Sequence, residues 1–258
     1  MHFEDLTTEE AAMARDGGAV VLLPVGSIEP HGPHLPLSTD VLISEETARR
    51  AALRLEEADC PALVLPAIRY STVEFSAGFT GAVGASAENA AGILADILAS
   101  LLEQGFRAVA LVNAHLEPAH IASLRSAVAI AAERTGRNPV FPDITRRALA
   151  ARLTDEFRSG ACHAGRYETS LVLAVRPDLV KDDVRAELPP VETSLVDAIH
   201  EGSRTFLEAG IDRAYCGDPA SASAEEGEET YEVLASIVAE AVLAELETPG
   251  STQTPMGH

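Results

Sequence analysis

The stretch GSIEPHGPHLPLSTD, residues 26–40, decides the fold because it follows directly on the apolar run VVLLPV, residues 20–25. An uninterrupted apolar run of this length is typical of a strand buried on both faces of a parallel sheet. The polar residues begin where that strand ends, which is where open α/β sheets place their ligand sites. Glu29 and His31 are two residues apart, so on extended chain their side chains point the same way. Since carboxylate oxygen and imidazole nitrogen suit a dication, the stretch predicts half of a metal site.

The other half of the predicted site comes from two later segments. A second apolar run, residues 108–112, leads into NAHLE, residues 113–117, and a third polar cluster follows in HAGRYETS, residues 163–170. Together the three segments supply at least three carboxylates and three histidines, and no cysteine. A catalytic zinc typically takes three protein ligands plus water, so this set is too large and too anionic for one ion. It favours two metals that share a bridging carboxylate.

The predicted fold class is α/β, a three-layer α/β/α sandwich with a mainly parallel central sheet. Strand-like apolar runs alternate with segments of helical periodicity, and this alternation is typical of parallel sheets with helices on both faces. The strands are predicted at 19–25, 62–67 and 108–112. The helices are predicted at about 41–57, 87–102, 118–133, 170–175 and 229–246. We expect one domain over residues 1–247 and a disordered tail over residues 248–258, which is rich in Pro, Gly, Ser and Thr.

Composition indicates a cytoplasmic enzyme with no nucleic-acid or membrane partner. The formal net charge of −21 repels nucleic acid and anionic membranes. No apolar run reaches the roughly 20 residues that a bilayer requires, and the acidic N-terminus is unlike a signal peptide. The three cysteines lack C-x-x-C spacing, so we expect free thiols in a reducing compartment.

Three motifs in order resemble the creatininase family. They are E-x-H-G-x-H-L-P-x-x-T-D at 29–40, N-x-H-x-E at 113–117 and H-A-G-x-x-E-T-S at 163–170. The resemblance extends through GDP at 217–219 to Gly227 and so covers roughly residues 18–230. The family also includes a mycofactocin-precursor peptidase and a deformylase of formylated pyrimidines. The resemblance implies a creatininase-like fold and hydrolysis of a carbon–nitrogen bond.

The resemblance also implies five metal ligands in two sets. One metal would be held by Glu29, Asp40 and His115, and the other by His31, Asp40 and Glu168, with Asp40 bridging. The expected cofactors are two divalent ions per chain, Zn²⁺ first, with Mn²⁺ or Fe²⁺ as alternatives because nitrogen and oxygen ligands admit all three. On the residues alone, Asp40 has a second interpretation as a cap of the helix that follows.

Two further residues receive catalytic roles from the resemblance. His163 matches the proton-transferring histidine of the family, and Glu117 matches a position that binds an activating metal or tunes the site. Two nearby histidines receive other interpretations. We expect His34 to hold a ligand carboxylate, and we expect His120 to be an ordinary helix residue.

The expected substrate is a small amide, cyclic or linear. Family members that hydrolyse creatinine enclose its ring with tryptophan, and this chain has none. Phe75, Phe79 and Tyr167 are the candidate pocket walls instead. Two alternatives stay open at this point: a peptidase of a modified peptide precursor, and a catalytically silent, metal-stabilised assembly domain. The resemblance implies a homo-oligomer, a hexamer.

Overall fold

A three-stranded parallel sheet in the order β2-β1-β3 lies at the centre of the molecule. The computed structural model describes residues 1–248. The strands are β1 (Val20–Val25), β2 (Ala62–Val64) and β3 (Val109–Asn113). Every residue of β1 is buried, as its uninterrupted apolar sequence predicts. The second strand is shorter than predicted, but the position of all three strands along the chain is confirmed.

Helices cover both faces of the sheet. In chain order they are α1 (Thr8–Asp16), α2 (Thr39–Glu57), α3 (Ala87–Glu103), α4 (Pro118–Thr135), α5 (Arg147–Ala150), α6 (Asp155–Ser159), α7 (Arg166–Val175), α8 (Asp182–Arg185), α9 (Leu195–His200) and α10 (Ala224–Glu247). Single 3₁₀ turns lie at Phe3–Asp5, Pro177–Leu179 and Pro219–Ser221. The five predicted helices correspond to α2, α3, α4, α7 and α10.

The two faces of β1 bury different helices, because successive strand residues point to opposite sides of a sheet. Val21 and Leu23 pack with residues of α3 and α4, among them Leu98. Val20 and Leu22 pack with residues of α2 and α10. The predicted three-layer α/β/α arrangement is therefore confirmed.

Several helix ends follow from local sequence chemistry. Thr7 caps α1 in a reciprocal pair with the Glu10 side chain. Pro118 occupies the first turn of α4, and Gly136 ends that helix in a left-handed conformation with φ of 68°. The α4 prediction rested on these two residues.

Gly26, directly after β1, allows the start of α2 to approach the sheet. A Cβ at this position would lie 2.7 Å from the carbonyl carbon of Asp40 and from the amide nitrogen of Val41. Any other residue would force the strand end and the helix apart. The close approach brings Asp40 to the residues that follow β1.

The predicted disordered tail lies outside the described residues except for Thr248, which follows α10 and donates hydrogen bonds to the carbonyl oxygens of Ala244 and Glu245. The single domain over residues 1–247 stays a prediction. Within residues 1–248, no helix is long and apolar enough to cross a membrane.

Candidate metal centre

All seven predicted site residues lie buried at the carboxyl ends of β1 and β3 and around the start of α7. Each is at most 8% exposed. They are Glu29, His31, Asp40, His115, Glu117, His163 and Glu168. The turns after β1 and β3 meet at one edge of the sheet because both strands run parallel.

Asp40 lies between two histidines. Its Oδ1 is 3.1 Å from Nε2 of His31, and its Oδ2 is 3.1 Å from Nδ1 of His115. Ser27 Oγ donates a 2.7 Å hydrogen bond to Oδ2. The helix α2 is preceded by Ser38, so Asp40 is not its cap. One carboxylate oxygen of Asp40 therefore faces the His31 half of the cluster, and the other faces the His115 half.

Glu29 and Glu168 complete the two halves. Glu29 Oε1 is 3.0 Å from Nδ1 of His115, and its Oε2 accepts a hydrogen bond from Ser76 Oγ. Glu168 Oε2 is 3.5 Å from Nε2 of His31 and accepts a 2.6 Å hydrogen bond from the amide of Ala164. The five predicted ligands thus form two groups with Asp40 in both.

Backbone carbonyls fix how both histidines face the carboxylates. His31 Nδ1 donates to the carbonyl oxygen of Glu29 at 3.0 Å, and His115 Nε2 donates to that of Thr72 at 2.8 Å. The opposite ring nitrogens then point at the carboxylates, each with a proton or with a lone pair that a metal ion can take up. A lone pair facing an anion is unfavourable unless a proton or a metal ion lies between them.

The histidines and carboxylates of the cluster shift one another's pKa values. Burial alone would lower the pKa of His31, but the charges of Asp40 and Glu168 outweigh it and raise the pKa to about 10. Burial alone would raise the pKa of Asp40, and the charges of His31 and His115 hold it well below its usual range. Burial, with the Asp40 charge, raises the pKa of Glu168 to about 8 against the opposing His31 charge. Buried oxygen and nitrogen donors held this way fit divalent metal ions.

Glu117 offers a further donor beside one half of the cluster. Its Oε2 accepts a 2.9 Å hydrogen bond from the amide of Phe75. Its Oε1 is buried and has no hydrogen-bond partner among the described residues. Candidate ligand atoms of Glu117, Glu29 and His115 lie within 4.8 Å of one another. A buried, unpartnered carboxylate oxygen is costly, so its position favours contact with a bound ion or substrate.

His163 is held beside the cluster in one orientation. Its Nε2 donates to the carbonyl oxygen of Pro30 at 3.0 Å, and its ring stacks on Phe206 with centroids 4.4 Å apart. The His31 ring lies 4.5 Å away on centroids. Burial first, and then the positive charge of His31, lower the pKa of His163 to about 4. Neutral at pH 7, the ring keeps a lone pair on Nδ1 that can accept a proton.

Two histidines have roles that differ from the sequence interpretation. His34 Nε2 bonds the hydroxyl of Thr169 at 2.9 Å, so it contacts a residue beside Glu168 and no ligand carboxylate. His120 is not an ordinary helix residue, since its Nε2 donates to Asn113 Oδ1 at 2.7 Å and its Nδ1 accepts from Ser71 at 2.5 Å.

Asn113 connects the hydrogen bonds of His120 and Ser71 to the backbone of His115. Its Nδ2 donates to the carbonyl oxygen of His115 at 2.6 Å, and its Oδ1 accepts from the amide of His115 at 3.2 Å. The side chains of Asn113, His120 and Ser71 therefore fix the backbone that carries His115. Asn113 belongs to the N-x-H-x-E motif, which was the signal that could have found it.

Glu156, which the sequence interpretation missed, braces the turn that carries His163 and Glu168. Its two carboxylate oxygens accept hydrogen bonds from the amides of Tyr167 at 2.6 Å and Asp218 at 2.7 Å. Gly217 permits this contact, since a Cβ there would lie 2.3 Å from Glu156 Oε1. No motif or periodicity marks Glu156 in the sequence.

Replacing Glu156 by glutamine should destabilise the protein, because the new amide group cannot accept from both backbone donors. A buried unpaired donor costs about 1–3 kcal/mol, and we expect a loss of that size in the free energy of unfolding by urea. The control is Glu240→Gln, which removes an exposed ion pair with Arg152 and should cost below about 1 kcal/mol. Equal losses in the two variants would contradict a bracing role for Glu156.

A cavity of about 580 Å³ opens above the cluster. Its floor includes Glu29, Asp40, His115, Glu117, His163 and Glu168. Phe75 lines it as predicted. Phe79 and Tyr167 do not, since Phe79 packs on Phe206 and Tyr167 lies in the core beside Phe157. Other walls include residues of α5, α6 and α9 together with Leu116 and Phe206, which the sequence interpretation did not identify.

A three-layer α/β/α fold with a buried cluster of carboxylates and imidazoles beneath a cavity is typical of metal-binding hydrolases. The sequence profile of the family described as Creatininase, creatinine amidohydrolase, matches residues 4–242. The chain therefore belongs to the creatininase family, and it is a hydrolase that acts on carbon–nitrogen bonds.

Two curated relatives illustrate the range of the family. The chain is 29% identical to a creatinine amidohydrolase of Pseudomonas putida over 93% of this chain and 95% of the relative. It is 31% identical to a mycofactocin precursor peptide peptidase of Mycolicibacterium smegmatis over 82% of this chain and 79% of the relative.

Solved structures agree in fold. A creatinine amidohydrolase (creatininase) structure is 26% identical, with a TM-score of 0.77 over 96% of this chain and 98% of that one. A creatininase structure named for Mn is also 26% identical, with a TM-score of 0.71 over 96% of this chain and 99% of that one.

Proposed function

We propose that this chain is a dinuclear metal-dependent hydrolase of an amide bond in a small, non-peptide molecule, cyclic or linear. The observation that carries the proposal is the position of Asp40, with one oxygen toward His31 and the other toward His115 at 3.1 Å each. We assign Glu29 to the His115 half and Glu168 to the His31 half. The preferred ion is Zn²⁺, with Mn²⁺ or Fe²⁺ as alternatives.

The proposed reaction divides between the ions and the protein. Two bound divalent ions would lower the pKa of water and polarise the substrate carbonyl. The carboxylates would balance the positive charge of the ions. His31 and His115, which donate their other ring N–H to backbone carbonyls, would supply neutral nitrogen donors.

We assign proton transfer to His163. The Pro30 carbonyl holds its Nε2–H, so Nδ1 is the atom that takes a proton from the attacking water. Returning that proton to the leaving nitrogen completes hydrolysis, and such transfer contributes about 10²–10⁴-fold. Glu117, whose Oε1 has no hydrogen-bond partner among the described residues, is assigned an auxiliary role. It binds an activating ion or tunes the site.

The proposal is tested by turnover and metal content together. Purified protein, stripped with a chelator and reloaded separately with each candidate ion, is assayed on a panel of formamides, acetamides and cyclic amides. Activity that disappears on stripping and returns with at least one ion supports the proposal. Absence of turnover in every metal-loaded sample would reject it.

Creatinine should be a poor substrate. The chain has no tryptophan to enclose a small polar ring, and the aromatic side chains that line the cavity of about 580 Å³ outside its histidines are phenyl rings. We expect kcat/KM for creatinine to stay below about 10⁴ M⁻¹s⁻¹ and to be exceeded by that for another small amide in the same panel. A value for creatinine above this level and above every other amide would contradict the prediction.

A peptidase is the second candidate, favoured by the 31% identity to a mycofactocin precursor peptide peptidase. The proposed chemistry is the same, and only the length of the substrate differs. Release of a fragment from a peptide precursor, without turnover of the small-amide panel, would select this alternative.

We further propose that the protein is a cytoplasmic homo-oligomer, and a hexamer by resemblance to its family. The three cysteines Cys60, Cys162 and Cys216 are all free thiols, which supports a reducing compartment. Light scattering on the size-exclusion peak tests the assembly, and a monomer at micromolar concentration would contradict it.

A further inference from the structure

The rim of the cavity carries a positive charge that the proposed reaction does not use. Four acidic residues line the cavity, and all four belong to the floor described above. The ionised residues of the rim are Arg147 on α5 and Arg158 on α6. The whole chain has 40 acidic residues against 19 basic ones, so a rim with arginines and no carboxylate departs from its composition.

Arg147 differs from the neighbouring arginines in its partners. Arg158 bonds the carbonyl oxygen of Leu153 at 3.0 Å and also the carboxylate of Asp155. Arg146, which does not line the cavity, pairs with Asp143 at 3.3 Å. Arg147 is exposed and makes no ion pair with any carboxylate in residues 1–248. Its guanidinium is therefore available to a ligand in the cavity.

The same cavity also has apolar walls. Leu116, Leu195, Ile199 and Phe206 line the cavity that holds the acidic floor and the basic rim. A ligand that matches the acidic floor, the apolar walls and the basic rim carries an amide, an apolar body and an anionic group. A guanidinium matches a carboxylate through two parallel N–H···O hydrogen bonds.

We propose that the substrate carries a carboxylate remote from the scissile amide, and that Arg147 binds it. N-acylated amino acids are the substrate class of this chemistry. The inference rests on the proposed function, because it places the amide over the cluster. Arg147 is a specificity-determining residue in this arrangement, and it takes no part in proton transfer.

The test compares matched substrates on metal-loaded protein. N-formyl-leucine and N-formyl-leucinol differ only in the carboxylate, and Leu-Leu with its leucinol counterpart tests the same preference for the peptidase alternative. We expect kcat/KM to favour the carboxylate by about tenfold or more, through KM. Arg147→Gln should abolish the preference, Arg147→Lys should keep part of it because it retains the charge, and Arg146→Gln should leave it intact.

Calorimetric titration of the same compounds separates this inference from the proposed function. If none of these compounds is hydrolysed, the carboxylate preference in binding and its loss in Arg147→Gln still decide the role of Arg147, while the small-amide panel decides the proposed function. Equal affinities for acid and alcohol in the wild type would overturn the inference. So would a preference that survives Arg147→Gln, or one that Arg146→Gln removes equally.

Discussion

Replacing Asp40 by alanine should release both metal ions together and reduce activity to that of metal-free protein. The wild type is expected to hold about two divalent ions per chain. Asp40 contacts predicted ligands of both halves, with Oδ1 toward His31 and Oδ2 toward His115. Its removal withdraws the shared anion, so neither half retains its charge balance. Elemental analysis of gently purified, gel-filtered protein measures the content.

The matched control is Asp143→Ala, which removes another buried carboxylate. Asp143 pairs with Arg125 at 2.5 Å and is absent from the cavity lining. That variant should lose stability but keep both ions. Release of one ion from Asp40→Ala would make Asp40 a ligand of one metal only. A wild type with one ion or fewer, unchanged by metal supplementation, would reject the dinuclear arrangement.

The central layer and the position of the cluster could be predicted because both follow from strong local signals. The run at 20–25 is buried throughout β1, and parallel strands bring their carboxyl ends to one edge. Glu29, Asp40 and His115 therefore meet although 86 residues separate the first from the last. Residue order alone placed them at one edge, while the 3.0–3.1 Å contacts needed the structure.

The walls and rim of the cavity that α5, α6 and α9 form could not be predicted, because these helices are too short to show a hydrophobic periodicity. Helices α5, α6 and α9 have four, five and six residues. An amphipathic pattern needs about three turns to be recognised. The sequence therefore did not predict that Arg147 and Ile199 line the cavity. Phe79 and Tyr167 were predicted to line it on their aromatic character alone.

The polar residues that position the cluster could not be predicted from the sequence either. Glu156 is 12 residues from Glu168 in sequence, and its partners are backbone amides that carry no sequence identity. His120 lies on α4, and its position two residues after Pro118 predicts only an ordinary helix residue. Buried hydrogen-bond networks depend on donor and acceptor geometry, which residue order does not encode directly.

His163→Ala and Glu168→Ala should separate proton transfer from metal binding. His163 is fixed by the Pro30 carbonyl and the Phe206 ring and has a free Nδ1. Its loss should leave the metal content unchanged while kcat falls by about two to four orders of magnitude. Glu168 faces His31 at 3.5 Å, so its loss should lower metal content as well as rate, because an anionic ligand is missing.

Metal supplementation distinguishes the two variants further. Excess metal ion should restore part of the activity of Glu168→Ala, since mass action refills a weakened site. It should leave His163→Ala unchanged, because no ion replaces a proton acceptor held at one position. The decisive comparison is metal content beside kcat for both variants at several metal concentrations. Metal loss from His163→Ala, with recovery on supplementation, would make His163 a ligand and transfer the proton step to another group, for which Glu117 with its unpartnered Oε1 is a candidate.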